Sequence, residues 1–207
     1  MLVKTFGAAV QGINATIVTI EVNVSKGIRF LHVGLPDIAV KESHERIASA
    51  LNYTGHEFPH QQIVINMAPA DIRKEGSAYD LPLAIGIMAA HTKLKWSNLE
   101  SYVIMGELSL DGGLRPIKGV LPIAIKAREE GYKGFILPKQ NAREAAVVNN
   151  LDVYGVESIT EVINFFSGTA TLEPTIVNTR EEFFNNLNLS EIDFADVKGH
   201  RNELSYN

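Results

Sequence analysis

The chain has 207 residues, 45% of them hydrophobic and 21% charged, which indicates one globular domain with a core, or one domain plus a tail. Its net charge of −5, without a broad cluster of lysine and arginine, disfavours tight non-specific nucleic-acid binding by this chain alone. It contains no cysteine, which excludes disulfides, iron–sulfur clusters and thiolate zinc sites.

Three strands are predicted near the N-terminus, at 2–10, 16–24 and 28–34, where β-branched and apolar residues alternate with polar ones. The sequence Ser-Lys-Gly at 25–27 has the composition of a turn. We therefore predict that the second and third strands pair as a hairpin.

A helix is predicted over 36–55, with Asp37 near its start and Gly55 at its end. One helical stripe carries Val40, His44, Ile47 and Leu51. The apolar run at 62–69 predicts a buried strand.

A charged loop from residue 71 leads into an almost wholly apolar helix, which is predicted to end near His91. Its apolar run, 81–90, is too short to span a bilayer. The N-terminus also lacks the long apolar segment of a signal peptide. These features predict a cytoplasmic protein.

The second half of the chain alternates strands and helices. The predicted elements are a strand at 102–110, a turn-rich segment at 111–119, a helix at 120–131, a strand at 134–138, a helix at 139–150, a strand at 152–156 and a helix at 158–168. This alternation predicts an α/β or α+β domain that ends near residue 168. The polar segment 169–207, with weak apolar spots at Phe183, Phe184 and Phe194, is predicted to be a linker or docking tail.

Two nucleotide-binding motifs are absent from the sequence. It contains neither the P-loop pattern G-x-x-x-x-G-K-[ST] nor G-x-G-x-x-G. The glycines between Gly112 and Gly119 are predicted to form a tight β-turn. Pro59 separates His56 from His60, so these histidines are expected at the surface or in the core rather than in a metal site.

Ser77 precedes the apolar helix and admits two interpretations. It could be a nucleophile, or it could be the N-cap of a capping box in which Asp80 is the acidic third residue. The capping box would put Pro82 at the fifth helical position, where its missing N–H removes a hydrogen bond. A later start, with Asp80 as the cap and Pro82 in the first turn, avoids this loss. Both capping alternatives make the segment a helix start.

Three sequence blocks, at 32–51, 65–90 and 106–148, resemble the Mg-chelatase-like, competence-associated AAA+ ATPases of bacteria, the ComM or YifB type. The resemblance covers residues 1 to about 167 almost continuously. One departure is His44, where the family usually has arginine. The family's N-terminal domain is similar to the proteolytic domain of Lon. The resemblance therefore implies an α+β fold, the one named after the second domain of a small-subunit ribosomal protein, with a left-handed βαβ crossover.

Lon-type proteases use a serine–lysine dyad, and the resemblance allows each position to be located here. The segment at 74–80 places Ala78 at the serine position, and the segment at 117–122 places Leu121 at the lysine position. Alanine cannot attack a carbonyl group and leucine cannot accept the proton of a nucleophile, so no peptidase activity is predicted. The alternative is a displaced dyad of Ser77 with Lys74 or Lys118. Lys74 is expected in an exposed, charged loop, where it would be a poor base.

Basic residues near both turns form a second candidate site. Arg73, Lys74, Arg115 and Lys118 are predicted either to form a local anion patch, for DNA or for a partner's acidic face, or to be solvated loop charges.

Residues 192–200 resemble the segment that opens the AAA+ module of the family. The sequence is then a piece cut inside the ATPase, a truncated gene product, or a domain that stands alone. The resemblance implies that the full-length protein binds ATP and Mg²⁺ and forms a hexamer, whereas no cofactor or metal site is predicted in this chain. We expect a non-catalytic accessory domain that contacts DNA, partners or its own AAA+ module, with a Lon-like peptidase or a stand-alone interaction module as alternatives.

Overall fold

The computed structural model describes residues 2–92 and 96–177, and a seven-stranded mixed sheet organises them. The strands in chain order are β1 (Leu2–Gln11), β2 (Asn14–Ser25), β3 (Phe30–Val33), β4 (Gln62–Ala68), β5 (Tyr102–Ile104), β6 (Glu107–Leu108), β7 (Leu114–Arg115), β8 (Gly134–Pro138) and β9 (Asp152–Val156). The helices are α1 (Ile38–Lys41), α2 (Ser43–Tyr53), α3 (Asp80–His91), α4 (Val120–Glu129), α5 (Lys139–Ala145) and α6 (Ile159–Phe166). Short 3-10 turns occupy Ser77–Tyr79 and Leu99–Ser101.

The strands of the large sheet lie in the order β3-β4-β2-β1-β5-β8-β9. β2 runs antiparallel to both of its neighbours, whereas the other neighbouring strands run parallel. β6 and β7 form a separate two-stranded sheet. This mixed, mostly parallel architecture is consistent with the predicted α+β class.

The predicted hairpin between the second and third strands is wrong. β2 pairs with β1 over ten register positions and with β4 over seven, so both of its edges are occupied. The four-residue β3 instead lies parallel to β4 on the far side, connected to it through α1 and α2. The true hairpin joins β1 to β2 through Gly12 and Ile13, and Gly12 has the positive φ of 62° that such a turn requires.

The helix predicted at 36–55 is present but interrupted at Glu42, where α1 ends and α2 begins. Asp37 caps α1, because its Oδ1 accepts a hydrogen bond of 2.8 Å from the Val40 amide. Val40 and two other members of the predicted stripe are fully buried, and His44 is half-buried. The stripe faces the core as predicted.

The apolar helix is confirmed as α3, which packs against β1, β2 and α2. All residues from Asp80 to Ala90 are buried, as expected for a helix that is hydrophobic on all sides. None of the helices in the described ranges combines the length and apolar character needed to cross a lipid bilayer.

The single strand predicted at 102–110 is wrong, because the chain leaves the large sheet after β5. The Gly106 amide donates to the Ala78 carbonyl at 2.8 Å, so the backbone turns towards the 3-10 turn at 77–79 and then forms β6. The hydrogen bond between Gly106 and Ala78, which are distant in sequence, thus divides the apolar run 102–110 between the two sheets. The later predictions of α4, β8, α5, β9 and α6 are confirmed within a few residues.

The compact unit that includes this sheet extends to Ile176. After α6, the Thr175 amide donates to the Val153 carbonyl of β9 at 2.7 Å. Residues 178–207, with the three phenylalanines of the predicted tail and the segment 192–200, lie outside the described residues.

Candidate functional site

Two adjoining cavities, of about 530 and 540 Å³, share the residues Glu75, Ala78 and Lys118. We refer to the pair as the cleft. The first cavity is bounded by the end of β1 and the second by the 3-10 turn that contains Ser77. The cleft therefore contains both positions that the sequence singled out, the serine beside α3 and the lysine before α4.

Asp37 fixes the loop that forms one wall of the cleft. While its Oδ1 caps α1, its Oδ2 accepts a hydrogen bond of 2.9 Å from the Gly76 amide. The Asp37 amide in turn donates to the Lys74 carbonyl at 3.0 Å. Gly76 has a positive φ of 84°, a conformation that glycine adopts without strain. One aspartate therefore holds both α1 and the loop before Ser77.

Ser77 does not form the predicted capping box. Its hydroxyl donates to the Glu107 carboxylate, and its side chain caps no helix. A 3-10 turn covers Ser77–Tyr79, and α3 begins at Asp80. The later helix start, with Pro82 in the first turn, is confirmed, whereas the role of Asp80 as a side-chain cap is wrong.

Asp80 is instead the centre of a buried ion pair that the sequence reasoning missed. Its two oxygens accept hydrogen bonds of 2.7 and 2.8 Å from Arg46, and Oδ2 also accepts one of 3.2 Å from the Leu108 amide. Burial raises the pKa of Asp80, while the Arg46 guanidinium opposes this shift. Arg46 also donates to the Ala39 carbonyl at 2.7 Å. The sequence feature that could have indicated this ion pair is Asp80 itself, a single acidic residue at the start of an apolar helix.

The two positions that the sequence resemblance assigns to the Lon dyad contain no reactive group. Ala78 and Leu121 are half-buried and pack against the core. Ser77 and Lys118 line the same cavity, but the hydrogen-bond partner of Ser77 is a carboxylate. No lysine donates or accepts a hydrogen bond at Ser77 in the described part of the chain.

The expectation that Lys74 lies in an exposed loop is wrong. Its side chain is fully buried, and its ammonium donates to the Pro69 carbonyl. Burial lowers the pKa of Lys74, with Asp71 acting in the opposite direction. The backbone of Lys74 pairs with Leu35 and Asp37, and its side chain does not line the cleft. Neither a dyad with Ser77 nor a surface anion patch therefore includes Lys74.

The other three predicted basic residues lie around the cleft, and two of them are paired with acids. Arg73 contacts Glu75 at 3.2 Å, and Arg115 lies 3.9 Å from Glu107. Lys118 is exposed and forms no ion pair with any described residue. The positive charge available to a ligand is therefore concentrated at Lys118.

The histidines form no metal centre in the described residues, where no three His, Asp or Glu side chains could hold an ion. His44 packs against Phe30, with ring centroids 4.5 Å apart, and His60 lines a separate cavity of about 280 Å³. The sequence contains no P-loop.

Comparison with known proteins shows which family the chain resembles. The family model for subunit ChlI of Mg-chelatase matches residues 20–141. The competence protein ComM of Haemophilus influenzae is 38% identical over 96% of this chain and 39% of its own length. The uncharacterized protein YifB of Salmonella typhimurium is 41% identical over 80% of this chain and 33% of its own length.

A more distant relative is Lon protease 2 of Bacillus subtilis, 29% identical over 60% of this chain and 22% of its own length. The chain spans less than half the length of the curated relatives it matches.

Proposed function

The chain belongs to the family of subunit ChlI of Mg-chelatase, and from this membership we propose that it is a non-catalytic accessory domain of a larger Mg-chelatase-like AAA+ ATPase. The proposal is supported by Ala78 and Leu121, which stand where the sequence resemblance places the Lon serine and lysine, together with the similarity to Lon protease 2. ATP and Mg²⁺ would be bound by the rest of the full-length protein. This domain would then contact DNA, partner proteins or neighbouring subunits of a hexamer.

We also propose that the fold is that of the Lon proteolytic domain, including its left-handed crossover. The similarity to Lon protease 2 supports this assignment. The proposed crossover would be the βαβ unit in which α1 and α2 connect the parallel strands β3 and β4.

DNA contact is the form of this function that can be tested on the chain itself. Lys118 and Arg115 supply exposed positive charge beside the cleft, and each phosphate contact adds about one to the salt dependence of binding. Fluorescence anisotropy decides between DNA and protein partners, because direct DNA contact requires an affinity for labelled single- or double-stranded DNA that falls with salt. In that case the double variant Arg115→Glu/Lys118→Glu should weaken DNA binding and flatten its salt dependence.

Lys26→Glu serves as the matched control, because Lys26 is exposed in the turn between β2 and β3 and does not line the cleft. This variant should bind DNA as the unaltered chain does. Absent or salt-independent binding would contradict direct DNA contact, and the domain would then act through protein partners or subunits.

A peptidase with a displaced dyad is the second candidate, because Ser77 and Lys118 line one cavity. Its test is hydrolysis of casein together with labelling by a serine-reactive phosphonate. The accessory-domain proposal expects neither. Hydrolysis and labelling that both disappear in Ser77→Ala would establish the peptidase instead.

A further inference from the structure

The side of β1 that faces β5 is unpaired towards the C-terminal end of the strand. On one side, β2 pairs with β1 along its whole length, from Leu2 to Gln11. On the other side, the short strand β5 pairs with β1 at a single register position, between Phe6 and Val103. Beyond Phe6 this edge of β1 faces the first cavity of the cleft, which residues 8–11 line.

The backbone groups of Val10 point towards the cleft. The Ala8 amide donates to Met105 Sδ at 3.3 Å and its carbonyl accepts from the Tyr79 hydroxyl at 2.9 Å, so both groups of Ala8 face away from β2. Alternate residues of an antiparallel strand direct their N–H and C=O to the same side. Val10 therefore presents an N–H and a C=O to the cleft, and no described residue forms a hydrogen bond to them.

The floor of the first cavity is apolar, and its one unpaired charge is positive. Ala78, Met105 and Ile123 provide a small apolar surface beside the β1 edge. Lys118 stands where the two cavities meet, without a carboxylate partner among the described residues. A ligand that matches all three features needs a hydrogen-bonding backbone, a small apolar side chain and a carboxylate.

We propose that the cleft binds an extended acidic peptide segment of a partner protein, which adds to the free edge of β1 at Val10. The peptide backbone exchanges hydrogen bonds with the N–H and C=O of Val10, as in other cases of strand addition. One small apolar side chain packs on Ala78, and an acidic side chain pairs with Lys118. This inference rests on the proposed function in one respect only: the bound peptide is not cleaved.

A peptide fits the cleft better than a nucleic-acid strand. Glu75 and Glu107 also line the cleft, so it accommodates one carboxylate at Lys118 but would repel the successive charges of a phosphate backbone. In addition, the edge of β1 offers a donor and an acceptor together. A phosphodiester supplies acceptors alone and would leave the Val10 carbonyl unpaired.

The experiment measures the binding of two labelled octapeptides by fluorescence anisotropy. The first has a single glutamate among alanine and serine residues, and the second has glutamine in place of that glutamate. We expect the glutamate peptide to bind and the glutamine peptide to bind about tenfold more weakly. Lys118→Glu should weaken binding of the glutamate peptide by about the same factor, and the exposed control Lys26→Glu should leave it unchanged.

The role of the strand edge is tested separately with two substitutions at one position. Val10→Pro removes the N–H that faces the cleft, whereas Val10→Ala shortens the side chain and keeps that N–H. We expect Val10→Pro to lose about tenfold in affinity and Val10→Ala to stay within about threefold of the unaltered chain. Because Val10→Pro could disturb folding, a glutamate peptide with alternate N-methylated amides repeats the test on the unaltered chain and should also bind about tenfold more weakly.

Binding that is absent, or that is insensitive to Lys118→Glu and to N-methylation, would overturn the peptide site. Displacement of the peptide by single-stranded DNA, with the same dependence on Lys118, would assign the cleft to nucleic acid and also overturn it. Mass spectrometry of the recovered peptide separates the two proposals. An intact peptide that fails to bind contradicts this inference alone, whereas a cleaved peptide contradicts the accessory-domain proposal as well.

Discussion

At the scale of single residues, the pair formed by Arg46 and Asp80 joins three segments of the chain. Arg46 lies on α2, Asp80 is the first residue of α3, and the Leu108 amide that donates to Asp80 belongs to β6. Asp80 is fully buried, while Arg46 keeps about a fifth of its side chain exposed. The pair therefore fixes the start of α3, and with it the turn that contains Ser77 and Ala78.

We expect Arg46→Ala to lower the free energy of unfolding by about 3–5 kcal/mol, because it leaves the Asp80 carboxylate buried without its partner. Urea denaturation at pH 7 measures the change. Arg128→Ala, an exposed arginine of α4, is the matched control and should shift the free energy by no more than about 0.5 kcal/mol. Equal effects of the two substitutions would show that the Arg46–Asp80 pair contributes no more than a surface charge.

A second residue-scale feature is His32, whose ring nitrogens are both buried without a hydrogen-bond partner among the described residues. Burial, together with the nearby positive charges of His44 and Lys41, lowers the pKa of His32 to about 4. The unfolded chain has the ordinary pKa of 6.5 and so takes up the proton first as pH falls. The stability that neutral His32 contributes is therefore complete above pH 6.5 and is lost progressively between pH 6.5 and about 4.

The free energy of unfolding of the unaltered chain should fall by about 2 kcal/mol from His32 alone between pH 7.5 and pH 5. His32→Leu should remove that part of the pH dependence. His60→Leu, which replaces an exposed histidine, should retain it. Urea denaturation at the two pH values measures all three proteins. The same pH dependence in His32→Leu and the unaltered chain would refute the assignment.

At the scale of elements, the contact between α3 and β2 requires a glycine in the middle of a helix. A Cβ at Gly86 would lie 2.7 Å from Cγ2 of Val22 and 3.5 Å from the Thr5 side chain. The helix therefore lies closer to the sheet than any other residue would allow. Alanine is ordinarily favoured over glycine in a helix by about 1 kcal/mol, so the packing must outweigh that preference.

We expect Gly86→Ala to destabilise the chain by about 1 kcal/mol or more despite its better helix propensity. Combining it with Val22→Ala should recover part of that loss, so the double variant should be more stable than the sum of the single effects by about 1 kcal/mol. The control pair is Gly86→Ala with Ile136→Val, because β8 lies three strands from β2, about 14 Å away. Thermal or urea denaturation that finds both pairs additive would contradict the close contact.

The elements that the sequence predicted well are those whose pattern is local. The apolar run of α3 and the short strands β8 and β9 are bounded by glycine, proline or charged residues, so periodicity and turn chemistry suffice. The wrong hairpin has another cause. The pattern at 28–34 identified a strand but carried no information about whether β2 or β4 would be its neighbour.

The site was less predictable than the fold, because its geometry depends on contacts between distant segments. The sequence did identify Ser77, Ala78 and Lys118, which the structure brings to one cleft. It misplaced Lys74, which is buried in a loop whose backbone pairs with residues 35–37, distant in sequence. It also missed the partner of Asp80, since Arg46 lies 34 positions away on another helix.

At the scale of the whole molecule, the stability of the domain depends on where its compact unit ends. Sequence composition predicts a domain end near residue 168, where α6 closes and the chain becomes polar. The compact unit of the structure extends to Ile176. Between these points, Leu172 packs against the core and the Thr175 amide donates to the Val153 carbonyl on the outer side of β9, the last strand of the sheet.

A chain ending at residue 168 should therefore be less stable than one ending at residue 177. Loss of the Leu172 contact and of the hydrogen bond to β9 is expected to cost about 1–2 kcal/mol, which corresponds to a melting temperature lower by about 2–8 °C. Differential scanning calorimetry of the two chains measures the difference. Leu172→Ala in the longer chain keeps the backbone bond and should reproduce only part of the loss. Equal melting temperatures for the two chain lengths would show that residues 169–177 add no stability, and would favour the boundary at 168 that the composition predicts.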